Sequence, residues 1–149
     1  NPMEDSDVTW ERLDEWYTAH LTNGLGNLVA RVMKLTEQYL DSEKDTPIEI
    51  EIGDDVFEEL NSFSFNDALD LVFLQIATAD LLMNEKEPFK KLKSENNAVV
   101  DEGREVLRNL LGRLARIAND LRPFLPATSE KILIAIRENK KPNNLFPRL

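Results

Sequence analysis

Two polar side chains one helical turn apart, Asn27 and Arg31, have the types and the spacing of a binding pair. They lie in TNGLGNLVARVMKL, where leucines and valines recur every three or four residues, which predicts one buried helix face. Residues four positions apart on a helix are neighbours and can reach a common partner. An amide and a flat guanidinium fork together suit the edges of exposed bases. The alternative interpretation is a solvated rim beside the core.

A second candidate is the turn EPFKKLK, in which Phe89 follows a proline and precedes Lys90, Lys91 and Lys93. A rigid turn that presents an aromatic ring beside cations can hold an unstacked base, because the ring stacks on the base and the lysines meet phosphates. The alternative is that Phe89 packs back into the protein. We expect Lys34, on the same helix edge as Arg31, to add basic support.

Residues for catalysis are sparse. The chain has one histidine and no cysteine, which excludes thiol catalysis, cysteine-based zinc sites and paired-histidine metal sites. The acid pairs Asp67 with Asp70 and Asp54 with Asp55 lack a nucleophile or a phosphate-binding loop. We therefore predict no catalytic residue and no metal site, and a structural role for His20.

The net charge of −10 is unevenly distributed. Residues 41–60 carry a net charge of −8, which we interpret as a solvated face, whereas residues 86–149 carry +6. A basic surface that could meet RNA is therefore compatible with an acidic chain. The lack of cysteine, of a signal peptide and of a long apolar run predicts a cytoplasmic protein without a membrane partner.

Apolar residues at helical spacing define four helices that must position these candidates. The first begins at Thr9 or Asp7, the second after a cap at Ser64 or Asn66, the third after Asn96 or Asn97, and the fourth at Pro126. Their apolar stripes are Leu21, Leu25, Leu28, Val32, Leu35 and Tyr39; Phe65, Leu69, Val72, Ile76, Ala79 and Met83; Leu107, Leu110, Leu114, Ile117 and Leu121; and Ile132, Leu133 and Ile136. The pattern predicts an all-α helical bundle, one domain over residues 1–149.

Breaks between these helices have their own signals. Pro88 should stop the second helix and push Glu87 into extended geometry. The IEIEI alternation inside residues 41–60, which we call the acidic insert, indicates a short strand or extended segment. The C-terminal tail from Glu138 is expected to be irregular. Gly24 and Gly26 each cost about 1 kcal/mol in a helix, so we expect them to relax it and to let another backbone or an RNA loop approach closely.

Four stretches in this order, TNGLGNLVARV, NEKEPFKKLK, LRPFLPATSEKI and LFPRL, resemble the C-terminal, anticodon-binding helical domain of methionyl-tRNA synthetases, which are class I aminoacyl-tRNA synthetases. The resemblance spans nearly the whole chain. It implies that Asn27 and Arg31 are the anticodon-reading asparagine and arginine of the first helix. It also implies that Phe89 takes the place of a tryptophan that contacts the anticodon, and phenylalanine keeps a stacking face without the indole N–H.

The resemblance further implies that the parent enzyme joins methionine to its tRNA using ATP and magnesium. Nothing in the chain resembles the HIGH and KMSKS motifs of the catalytic domain. The expected role is therefore to hold the CAU anticodon loop, with tRNA and the parent's catalytic domain as partners and no cofactor in this segment. Two alternatives stay open: the equivalent domain of a valyl-, leucyl- or isoleucyl-tRNA synthetase, and a helical protein-interaction scaffold.

Overall fold

In the computed structural model the described residues are 17–41, 65–143 and 145–146, with positions 15 and 44. Within these ranges all regular structure is helical, which confirms the predicted all-α bundle. A π-helical segment, Tyr17–Gly26, leads directly into α1, Asn27–Tyr39. The other helices are α2, Phe65–Lys86; α3, Pro88–Lys91; α4, Asn97–Leu121; and α5, Pro126–Glu138. The predicted helix start at Thr9 or Asp7, the IEIEI strand and a cap at Ser64 lie outside the described residues.

The predicted apolar stripes form the core. Leu21, Leu25, Leu28 and Val32 from the first stripe are buried, and Leu35 and Tyr39 pack against them half-buried. Every other stripe residue whose side chain the structure describes is buried as well. The side chains that are almost completely buried include Leu25, Leu28, Met33, Leu107, Leu110, Leu111, Leu114, Ile117, Leu121, Ile132 and Ile136.

Helices α1 and α2 run in the same direction. His20 stacks on Phe73 with ring centroids 4.5 Å apart, and further along both helices the Arg31 guanidinium meets the Asp80 carboxylate at 3.1 Å. Because the contact positions rise together along both segments, the two helices are parallel. The packing of His20 on an aromatic ring agrees with its predicted structural role.

Helix α4 runs back against α2, and α5 returns against α4. Gln75 on α2 donates to the Asp120 carboxylate near the end of α4, at 2.9 Å. The predicted starts of α4 and α5 are both confirmed. Asn96 caps α4 by accepting a hydrogen bond from the Ala98 amide at 3.0 Å, and Pro126 is the first residue of α5.

Hydrogen bonds from Asn139 link the end of α5 to the end of α1. Asn139 adopts a left-handed conformation, with φ 51° and ψ 47°, and caps α5. Its side-chain amide donates to the Thr36 and Leu40 carbonyls, both at 3.0 Å. Lys141 then donates its backbone N–H to the Glu37 carboxylate at 3.0 Å, so the chain turns back along α1.

In residues 139–143 and 145–146 the tail beyond α5 is irregular, as predicted, whereas Glu138 still belongs to the helix. Phe146 is only 4% exposed and lies over Gly26. A Cβ added to Gly26 would meet the Phe146 ring at 3.4 Å and the Leu21 carbonyl oxygen at 3.1 Å. The group from the tail that lies close to this glycine is therefore a side chain, whereas we expected another backbone or an RNA loop. The relaxed helix expected around the glycines is the π-helical segment, whose wider turn ends at Gly26.

Candidate nucleic-acid interface

The polar side chains predicted on one edge of α1, those of Asn27, Arg31 and Lys34, form a ridge that faces solvent. Asn27 is the first residue of α1, and Asn27, Arg31 and Lys34 are all exposed. Leu28 and Val32, which alternate with them, are buried. Because α1 is a regular helix, the ridge residues follow one another at about one turn and share one side of the molecule.

Two residues on the neighbouring helix fix the direction of the Arg31 guanidinium. Arg31 Nη1 donates to the Asp80 carboxylate and Nη2 donates to the Asn84 side-chain oxygen, each at 3.1 Å. Asn84 in turn donates to the second oxygen of Asp80 at 3.4 Å, so the three side chains form a closed triangle. A guanidinium has five N–H groups, and the triangle uses two of them. Three remain for a ligand.

This triangle is half-exposed, which limits what it contributes to stability. The side chains of Arg31 and Asp80 are 42% and 47% exposed, and exposed ion pairs typically contribute about 0–1 kcal/mol. Its effect is mainly geometric, because it holds a long flexible side chain in one orientation beside α2. Sequence analysis missed Asp80 and Asn84, although their spacing of four places them on one face of the helix and could have marked them as facing a polar neighbour.

Phe89 lies just beyond the end of α2. The helix ends at Lys86, Glu87 adopts φ 45° and ψ 54°, and Pro88 begins the short helix α3. The expectation of extended geometry at Glu87 is wrong: the residue is left-handed. Proline disfavours the ordinary helical conformation of the residue before it, and Glu87 takes the left-handed one, after which α3 starts at once. The Glu87 carbonyl accepts from the Lys90 and Lys91 amides at 3.0 and 3.3 Å.

Phe89 is only partly covered by the rest of the protein. It is 37% exposed, while its neighbours Pro88 and Leu92 are buried and anchor the turn. The Lys90 ammonium lies 5.9 Å from the ring centroid and 2.6 Å from the Glu87 carboxylate. Lys93 is exposed one turn further on. The turn thus presents a partly open ring with cations beside it.

A glycine on α4 allows this turn to sit close to the bundle. A Cβ added to Gly103 would lie 3.0 Å from Leu92 Cγ and 3.1 Å from Lys91 Cβ, so a larger residue would require α3 to shift by a few tenths of an ångström. Lys91 also pairs with Glu102 across the same contact at 3.7 Å. Sequence analysis did not single out this glycine, which lies against the two residues that follow Lys90.

Arg31 is the residue of the first predicted group that is linked to the end of α2, where the Phe89 turn follows. Arg31 is hydrogen-bonded to Asn84, which lies five residues before Phe89. Because α1 and α2 are parallel, Lys34 follows Arg31 in the direction of the Phe89 turn. Asn27 precedes Arg31 by one turn, in the opposite direction.

Three arginines on α4 already have side-chain partners within the same helix. Arg104 pairs with Asp101 at 3.4 Å, Arg108 pairs with Glu105, and Arg113 donates to Asn109 at 2.7 Å. In the part of the chain that the structure describes, no group of three or more His, Cys, Asp or Glu side chains could hold a metal ion. None of the helices described is both long and apolar enough to cross a membrane.

Comparison with curated proteins agrees with the resemblance. Methionine–tRNA ligases of two Bacillus cereus strains, G9842 and B4264, are each 30% identical to this chain over 96% of its length. That of Bacillus mycoides is 29% identical over the same share. The chain is a relative of the methionine–tRNA ligases. It matches their C-terminal part and spans 28% of their length. No protein-family model and no solved structure matches the chain.

Proposed function

We propose that this chain is the anticodon-binding domain of a methionine–tRNA ligase and that it holds the CAU anticodon loop of methionine tRNA. In this proposal residues 1–149 form one domain, and the rest of the protein carries a catalytic domain that attaches methionine to tRNA with ATP and magnesium in the cytoplasm. The similarity to the C-terminal part of methionine–tRNA ligases supports this assignment.

The observation that carries the proposal is the contact between Arg31 and Asn84, because it anchors the Arg31 guanidinium near the end of α2, five residues before Phe89. The three N–H groups of Arg31 that the triangle leaves unused, together with the Asn27 amide, match the donor and acceptor edges of unpaired bases. The Phe89 ring offers a stacking face to another base. Lys34, Lys90 and Lys93 lie around them as counterions for the phosphates.

The direct test is a titration of the chain with a methionine-tRNA anticodon stem-loop and with a stem-loop whose CAU is scrambled. We expect preferential binding of CAU. Arg31→Ala and Phe89→Leu should each weaken CAU binding by about 5- to 150-fold, which corresponds to the 1–3 kcal/mol typical of one base contact. Asn27→Ala should reduce the preference for CAU.

Arg113→Ala is a matched control. Arg113 is an exposed arginine that donates to an asparagine side chain, as Arg31 does, but it lines a groove with Leu71 and Leu74 on a different face of α2. Its loss should leave CAU binding within about twofold of the wild-type chain. Equal affinity for the CAU and scrambled loops would overturn the proposed recognition, and a chain that binds neither loop would favour the scaffold alternative.

Salt dependence gives a second measure. Each phosphate contact on a single strand adds roughly 0.7 to the slope of log affinity against log salt, so three lysine contacts predict a slope of about −2. A slope several times steeper would mean that a different and more basic surface binds the RNA.

A further inference from the structure

The side chain that follows the proposed stacking ring lies over that ring. The Lys90 ammonium is 5.9 Å from the centroid of Phe89, and the Glu87 carboxylate holds it at 2.6 Å. All three side chains are partly open to solvent, with 68% exposure for Lys90 and 43% for Glu87. The ring is 37% exposed. The contact is therefore at the surface, where an RNA base would have to approach.

The backbone at Glu87 places these groups. Its left-handed conformation, at φ 45°, lets Pro88 begin α3 immediately, so that residues 87 and 90 are one turn apart. The Glu87 carbonyl also accepts the Lys90 amide at 3.0 Å. The left-handed conformation is less favourable for glutamate than for glycine or asparagine. The structure keeps its carboxylate at that position, directed at Lys90.

A stacked base and this ammonium need the same space. Offset-stacked rings have centroids about 4.5–7 Å apart, which is the range in which the Lys90 nitrogen lies from the Phe89 centroid. A base that stacks on that face must displace the ammonium. The displaced cation is then next to the phosphates that flank the base.

We propose that Glu87, Phe89 and Lys90 form a latch: Glu87 holds Lys90 over the Phe89 ring in the free protein, and a base that stacks on Phe89 releases Lys90 to an RNA phosphate. The latch rests on the proposed function, because it needs a base at Phe89. Its consequence is that the Glu87 carboxylate weakens RNA binding. The ion pair has to break before the base can stack.

Glu87→Gln tests the latch, with Glu85→Gln as the matched control. Glu85 is exposed, lies two residues earlier, and its substitution changes the net charge by the same amount. We expect Glu87→Gln to bind the CAU stem-loop about two- to fivefold more tightly than Glu85→Gln, the range given by an exposed ion pair. Glu87→Asn, which favours the left-handed backbone, should show the same gain. Adding Lys90→Gln to Glu87→Gln should remove it.

A measurement without RNA separates the latch from the proposed function. In the free protein the ring current of Phe89 should move the Lys90 ε-methylene proton signals upfield, and Glu87→Gln or Phe89→Leu should reduce that shift. The absence of the shift, equal affinities of Glu87→Gln and Glu85→Gln, or a gain that survives Lys90→Gln would overturn the latch and leave CAU binding intact. A chain that shows the shift but binds no RNA would overturn both proposals.

Discussion

Asn139→Ala should destabilise the protein by about 3 kcal/mol. Asn139 joins the ends of α5 and α1 by donating two hydrogen bonds to the Thr36 and Leu40 carbonyls, and each such bond contributes about 1 kcal/mol. Its left-handed backbone, at φ 51°, adds about 1 kcal/mol of strain once alanine replaces asparagine. Thr36 keeps its helical hydrogen bond from the Leu40 amide, whereas the Leu40 carbonyl loses the amide donor.

Urea unfolding followed by far-ultraviolet circular dichroism measures this loss. For a chain of this size about 3 kcal/mol corresponds to a fall of roughly 6–12 °C in Tm. Asn139→Gly keeps the left-handed backbone without strain and should lose only about 2 kcal/mol. Asn143→Ala, at an exposed position in the same segment, should stay within about 0.5 kcal/mol of the wild-type chain. The reasoning is refuted if Asn139→Ala unfolds within 1 kcal/mol of Asn143→Ala.

Three further substitutions test the packing around the site. Gly26→Leu should lower Tm and weaken CAU binding, because its side chain collides with the tail packed over α1; wild-type Tm and binding would contradict this. Asn96→Ala should lower the free energy of unfolding in urea by about 1 kcal/mol and Asn97→Ala by much less, because Asn96 caps α4. Equal losses in the two variants would argue against this capping role. Gly103→Val should push α3 outward, lower the free energy of unfolding by about 1–3 kcal/mol and weaken CAU binding. Gly112→Ala should not destabilise the protein, because Gly112 faces open space. Normal CAU binding by the Gly103→Val chain would show that the position of α3 does not depend on this contact.

Local signals in the sequence were sufficient for the helices and the core. The stripe residues Leu107, Leu110 and Leu114 are all buried, because an apolar spacing of three and four leaves a helix only one face to bury. The cap at Asn96 and the helix start at Pro126 follow from backbone chemistry that acts within one turn. These features need no knowledge of the rest of the fold.

The surroundings of the candidate site were not predictable in the same way. Helical spacing placed Arg31 on an exposed ridge but could not tell which helix lies beside it. Its partners Asp80 and Asn84 are about 50 residues away in the chain, and only the pairing of α1 with α2 brings them together. The left-handed Glu87 was missed for a related reason. A proline disfavours the helical conformation of the residue before it and favours an extended one, so the local sequence does not predict the left-handed conformation that Glu87 adopts.

The parallel pairing of α1 and α2 also bears on the length of the acidic insert. Two neighbouring helices that point the same way need a connection that returns along the whole of the second helix, whereas antiparallel neighbours need only a short loop. Helix α2 has 22 residues and is therefore about 33 Å long. An extended chain needs at least about ten residues to cover that distance. The pairing that sets Arg31 beside Asn84 thus requires a long segment between α1 and α2, but it places no demand on the charge of that segment.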